Sequence, residues 1–200
     1  MRSQVRLIVI GLVATAACRV AAAEGNVNII LGPRAVNEDF WRPVDDHFAI
    51  GVVTDVGGRA APVHLSIGLH RSEDEQIDFT NFFGLPFARV AARGEIIELN
   101  VGVEKVWAKK RSVVRPYIGG GVAFVDAEIE DNLSGLKGGD HSPGLYARAG
   151  ILWATGGRSG GLLWNWGFEM RALIGTEIEF AGISGNADYV QLGILFGMGW

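Results

Sequence analysis

From Val190 to Trp200 the chain alternates without a break. Val190, Leu192, Ile194, Phe196, Met198 and Trp200 fall on one face of an extended strand. Gln191, Gly193, Leu195, Gly197 and Gly199 fall on the other, because successive side chains of a strand point to opposite sides. One face is wholly apolar and closes on an aromatic. On a soluble sheet edge such a strand invites aggregation. In lipid, where no water satisfies a free backbone group, a closed barrel is the form of β structure that carries it.

Seven further segments have the length and alternation of a membrane strand, which takes roughly 9–11 residues. They run near 26–36, 46–57, 61–72, 94–108, 113–129, 143–155 and 162–175, with the last strand at 187–200. The connections alternate: 57–61, 108–112 and 155–161 are short, whereas 37–45, 73–93, 130–142 and 177–187 are long and mostly acidic. Short periplasmic turns and longer outer loops are the asymmetry of bacterial barrels. The expected fold is all-β, an eight-stranded antiparallel up-and-down transmembrane β-barrel with both termini in the periplasm.

Residues 1–23 read as a cleaved secretory signal peptide. Arg2 and Arg6 precede an apolar stretch over 7–17, and Ala21, Ala22 and Ala23 offer a small-residue cleavage site. The stretch is too short for a helical anchor, which needs about 20 residues. Lipoprotein processing at Cys18 is disfavoured by Thr15 before it and Arg19 after it. Cys18 is the only cysteine, so the mature chain has no disulfide and no thiolate metal site or nucleophile. Removing the signal leaves 15 basic against 22 acidic residues, a formal charge of −7, which argues against a nucleic-acid partner. The remaining 24–200 form a single barrel domain.

Tryptophans check the topology independently. Trp107, Trp153, Trp164, Trp166 and Trp200 lie at strand ends beside a short turn or the C-terminus, the place of a periplasmic aromatic girdle. Phe40, Trp41, Phe79, Phe82, Phe83 and Phe124 are expected to mark the outer interface. Parity then assigns the interior. Arg34, Asp55, Glu98, Glu104, Arg115, Arg148, Glu169 and Arg171 point inward, with His64, Ser66, His70, Asn100, Tyr117, Tyr146 and Asn165. Four acids against four arginines inside a low-dielectric wall should pair, since an unpaired buried ion is very costly. Eight strands leave room only for side chains, so the paired charges are expected to plug the lumen. A narrow low-conductance channel is the alternative, if those pairs swing aside.

"RPYIGGGVAF" (115–124), "IELNVGVEKVW" (97–107) and "NADYVQLGILFGMGW" (186–200) resemble the small outer-membrane barrels of the OmpA/OmpX type. The likeness spans 24–200. It implies a Gram-negative outer-membrane location, delivery by periplasmic chaperones and insertion by the barrel assembly machinery, with 190–200 as the assembly strand. It implies no particular activity, since fold does not fix function. No peptidoglycan-binding domain follows the barrel, so cell-wall tethering is not expected. A monomer is expected.

Two barrel chemistries need testing against the residues. A lipid A deacylase uses a His-x-Ser pair, and His64-Leu65-Ser66 has that spacing, but near the periplasmic end and facing the lumen. A lipid A acyltransferase places His, Asp and Ser at the outer rim, where His70, Ser72 and Asp74 stand. Such triads are recognised by geometry, and a charged, solvated loop start explains these residues as well. His141-Ser142, in the third long loop, is the weakest candidate. No loop has an EF-hand spacing, and neither a dedicated metal site nor a cofactor is expected. The acidic loops meet lipopolysaccharide, where carboxylates share divalent cations with its phosphates, although solvation alone also accounts for them. The second long loop, with Phe79, Phe82, Phe83, Leu85, Pro86 and Phe87, either covers the mouth, enters the outer leaflet or meets a partner. It is also where a short helix is expected. The role that fits best is structural or interactive, through four outer loops.

Overall fold

The computed structural model describes residues 24–36, 38–42, 44–57, 62–82, 85–107, 113–131, 135–156, 163–180 and 182–200. The signal segment with Cys18, and Arg59, Lys109, Lys110, Arg111, Arg158 and Phe83, lie outside the described residues. The elements are β1 (Glu24–Val36), α1 (Glu38–Trp41), β2 (Asp46–Gly57), β3 (His64–Phe82), β4 (Leu85–Val106) and β5 (Val114–Asp131). They continue with β6 (Leu136–Gly156), β7 (Leu163–Ile174), β8 (Ile178–Phe180), β9 (Ile183–Gly185) and β10 (Tyr189–Gly199). Eight strands close in the order β1-β10-β7-β6-β5-β4-β3-β2, and β8–β9 form a small separate hairpin. Every pairing is antiparallel, and β10 closes the barrel by pairing with β1 from Asn26↔Gly199 to Val36↔Tyr189.

The outer surface is an apolar belt. Ile50, Leu65, Ile118, Phe124, Leu145, Phe168, Ile174, Leu192 and Phe196 are among its exposed hydrophobic residues. A water-soluble protein does not expose a continuous patch of this extent. On β5 the belt runs from Val114 to Phe124, about 33 Å of strand at about 3.3 Å per residue. At a tilt of about 40° that is a band about 25 Å tall, the height of a transmembrane barrel's lipid-facing zone. Its outer limit is sharp: moving up the outward face, Leu69 gives way to Arg71, Ile97 to Glu95 and Phe124 to Asp126.

Above that limit the strands do not stop where expected. β3 and β4 pair as far as Phe82↔Leu85, and β5 and β6 as far as Asp131↔Leu136. The second long loop is therefore a hairpin, and the short helix lies in the first loop as α1. Cross-strand charge pairing supports the first rungs of both extensions. Arg93 meets Glu75 directly opposite at 3.5 Å and Glu73 diagonally at 3.1 Å, while Arg71 reaches Glu95 at 3.0 Å. Across β5–β6, Lys137 pairs with Glu128 and, at 3.2 Å, with Glu130. These carboxylates raise the Lys137 ammonium above the ordinary lysine value. Opposite charges facing across rungs stabilise a ladder that composition alone would assign to a loop.

Candidate functional site: the barrel interior and its outer mouth

Inward side chains form two ionic groups. On the side of mid-barrel nearer the chain termini, Arg148 of β6 gathers three carboxylates. Its Nη2 lies 2.5 Å from both Asp55 Oδ1 and Glu104 Oε2, and its Nη1 lies 3.4 Å from Glu169 Oε2. The Tyr117 hydroxyl donates to Glu169 at 2.6 Å. That phenol occupies the space a Cβ on Gly150 would need, 2.5 Å away, so the glycine is what admits it. Nearer the outside, Glu98 pairs with Arg171, accepts the Tyr189 hydroxyl at 2.5 Å and lies 3.7 Å from Arg34. Arg34 also donates to Gln191 at 2.8 and 3.2 Å and stacks 3.8 Å over the Tyr189 ring. Arg171 stacks 4.2 Å over Tyr146. Each ion in these groups is at most 3% exposed, so each depends on its partners.

Arg115 does not join them. It is half-buried at the start of β5 and has no ion pair among the described residues. Asp55, Glu104 and Glu169 are all held by Arg148 instead. The structure thus gathers seven of the eight expected charges and leaves out the eighth.

The outer third of the interior is apolar. Val36, Ile96, Ala123, Val125, Ala127, Leu173, Ile178, Ala187 and Tyr189 form one buried cluster, and Trp41 and Val44 of the first loop sit in it. Trp41 is wholly buried, and its indole N–H donates to the Asn186 carbonyl at 2.9 Å. It was expected at the outer lipid interface and is instead inside the mouth, with Phe40 packed edge-on against it. Phe124 does face outward, 57% exposed. The side chains of Phe79 and Phe82 lie outside the description.

His47 ties this loop to the barrel. One ring nitrogen, Nε2, lies 3.1 Å from the Val44 carbonyl and Nδ1 lies 3.2 Å from Ser72 Oγ. An Nε2–H tautomer donates to the carbonyl and accepts the serine proton. Arg34 Nη1 donates to the same hydroxyl at 3.3 Å. Sequence reasoning passed over His47, although its parity on β2, shared with Asp55, marks it as inward.

The acyltransfer candidates do not assemble. Ser72 bonds His47 and Arg34, whereas His70 is wholly buried with no hydrogen bond from either ring nitrogen among the described residues. Asp74 is half-exposed above both, and no hydrogen bond or ion pair joins it to them among the described residues. Ser66 is also wholly buried inside, and Ser142 Oγ instead accepts the Glu177 amide at 2.7 Å. No group of three or more His, Cys, Asp or Glu among the described residues is arranged to hold a metal ion. At the barrel end that carries the chain termini, Trp107, Trp164 and Trp166 are exposed on the outward face, and Trp153 stacks on Trp166 at 4.6 Å. Trp200 is half-buried and bonds Gly25 through both backbone groups.

No family model matches the sequence, and no curated protein matches it. Solved structures do. Ail, the attachment invasion locus protein of Yersinia pestis, in complex with the heparin analogue sucrose octasulfate, is similar at a TM-score of 0.50 and 11% identity. The match covers 88% of this chain and 98% of that one. This chain has the fold of a small outer-membrane β-barrel. The N-terminal barrel domain of Pseudomonas aeruginosa OprF is similar at a TM-score of 0.45 and 12% identity, over 88% of this chain and 97% of that one. A major outer membrane protein from Thermus thermophilus gives 0.44 and 14%, over 88% and 99%. At these identities the likeness is one of fold.

Proposed function

We propose that this barrel is a non-conducting, non-enzymatic component of the bacterial outer membrane that acts through its outer rim. One observation carries the reading: ion groups occupy the middle of the interior and the apolar Trp41 cluster its outer end. An eight-stranded wall has room for little beyond its own inward side chains, which supports a closed lumen. Acyl transfer would require lipid to reach His70 or Ser72, and both side chains face the buried interior.

The rim itself is acidic. Asp45, Asp46, Asp74, Asp126, Asp140, Glu177, Glu179 and Asp188 join the paired glutamates there, against Arg42, Arg71, Arg93 and Lys137. A sulfated ligand of the kind named with the Yersinia barrel would meet repulsion here. Lipopolysaccharide phosphates would be met through shared divalent cations. Biogenesis through periplasmic chaperones and the barrel assembly machinery belongs to the same reading.

Proteoliposome swelling in small sugars and amino acids tests it. Vesicles holding the refolded barrel should swell no faster than empty ones, and lipid A species in cells should be identical with and without the protein. Swelling above the empty-vesicle rate would replace this reading with a channel, and a changed lipid A profile would replace it with an enzyme.

A further inference from the structure

Above the membrane the strands are unequally paired. β3 pairs with β2 only as far as Phe48↔Glu73, yet pairs with β4 as far as Phe82↔Leu85. From Asp74 to Phe82 its other edge therefore pairs with no strand among the described residues. The start of β2 touches it only at its foot, where the Asp46 backbone hydrogen-bonds Asp74. β4 is in the same position from Leu85 to Ala91, because its pairing with β5 begins at Ala92↔Asp131. A bare edge is a row of unpaired N–H and C=O groups, a ready template for another strand.

The two edges of this ribbon are not equivalent. The register shifts between Gln76↔Ala92 and Ile77↔Val90, so Ala91 of β4 is an extra residue bulged out of the ladder. A bulge breaks the regular spacing of donors and twists its own strand away from pairing. β3 carries no extra residue and presents an uninterrupted edge.

Charge also distinguishes β3. Asp45 and Asp46, where β2 begins, and Asp74 of β3 lie together at the foot of its open edge, and none has an ion pair among the described residues. Arg71 and Arg93 of the same ribbon are held by Glu73, Glu75 and Glu95 on the outward face. Partial burial, with the like charges of Asp46 and Asp45, pushes the Asp74 carboxyl above the ordinary aspartate value. A cation arriving there would relieve that repulsion.

We propose that the open edge of β3, from Asp74 to Phe82, accepts an extended basic polypeptide segment of a partner protein as an added strand, its Lys or Arg side chains set against Asp45, Asp46 and Asp74. Main-chain hydrogen bonds would supply the affinity, and the acidic trio the preference for a basic sequence. Nine residues of edge span about 30 Å at about 3.3 Å per residue, enough for one short segment. This inference rests on the outer-rim reading above and names its partner class.

The test uses the full-length barrel in lipid nanodiscs and a fluorescent nonapeptide of alternating Lys and Thr. Two control peptides isolate the causes: one with Glu in place of Lys, and one with alternate backbone amides N-methylated. The Lys peptide should bind saturably, at least tenfold more tightly than either control, and more weakly as salt rises. Hydrogen exchange should slow over 75–82 on binding and stay unchanged over 85–91. The triple variant Asp45→Asn/Asp46→Asn/Asp74→Asn should lose at least tenfold in affinity. Asp74→Asn alone replaces it if the triple variant loses heat-modifiable gel migration. Equal binding of the N-methylated peptide, protection on β4 rather than β3, or no binding of the Lys peptide would each overturn the proposal. None of those results alters the swelling assay, so failure here is distinguishable from failure of the non-conducting reading.

Discussion

The middle of the barrel and its outer mouth are filled by opposite means. Around Arg148, three carboxylates and a phenol meet one guanidinium, and every member depends on the others. Around Trp41, a loop side chain packs among aliphatic residues and needs only one hydrogen bond, to Asn186. A buried ionic group fails when one partner is removed, because the rest are stranded in low dielectric. An apolar cluster loses only the contacts and volume of what is removed. The middle is therefore expected to be the costlier part of the interior to disturb, and the mouth the less costly.

Arg148→Leu should break this comparison most severely. It strands Asp55, Glu104 and Glu169 together, and urea unfolding in lipid vesicles should show a loss of about 3–5 kcal/mol. Trp41→Ala comes next. The first loop can detach while the barrel stays whole, so the global loss should stay below about 3 kcal/mol, less than a truncation in a core that cannot open. Limited proteolysis should then cut near α1, while gel migration stays heat-modifiable. Ser72→Ala removes the hydroxyl between His47 and Arg34 and should cost about 1 kcal/mol in the same unfolding assay. Arg115→Gln should cost less than about 0.5 kcal/mol, since it breaks no ion pair among the described residues. The contrast between Arg148 and Arg115, the same residue type on the same side of the wall, sharpens the account most.

Strand number, antiparallel order and the lipid-facing belt were all legible in the period-2 alternation, most plainly over 190–200. Parity assigns each residue a side, but it cannot say which acid meets which base. Arg148 reaches acids on β2, β4 and β7 at once, and such convergence depends on shear and side-chain length. The strand extensions were hidden for a related reason. Residues 73–93 look like an acidic loop until Arg93 is seen opposite Glu75, a relation between rungs that composition does not carry. Trp41 was misplaced because an aromatic in a loop fits an interface equally well. A signal was present: Val36, Ile96, Val125 and Leu173 are all inward by parity at the outer ends of their strands. That apolar mouth called for an apolar side chain to cover it.

Thiol labelling at adjacent positions tests the filled interior most directly. In a Cys18→Ser background, Ser66→Cys places a thiol at a wholly buried interior position, and Ile67→Cys places one on the lipid face. With the barrel folded in vesicles, a membrane-impermeant maleimide should label neither, and a lipid-soluble reagent should label only the thiol at position 67. The thiol at position 66 should react only after boiling in detergent. Prompt labelling of that thiol by the impermeant reagent in the folded protein would mean an open aqueous lumen and would contradict the account.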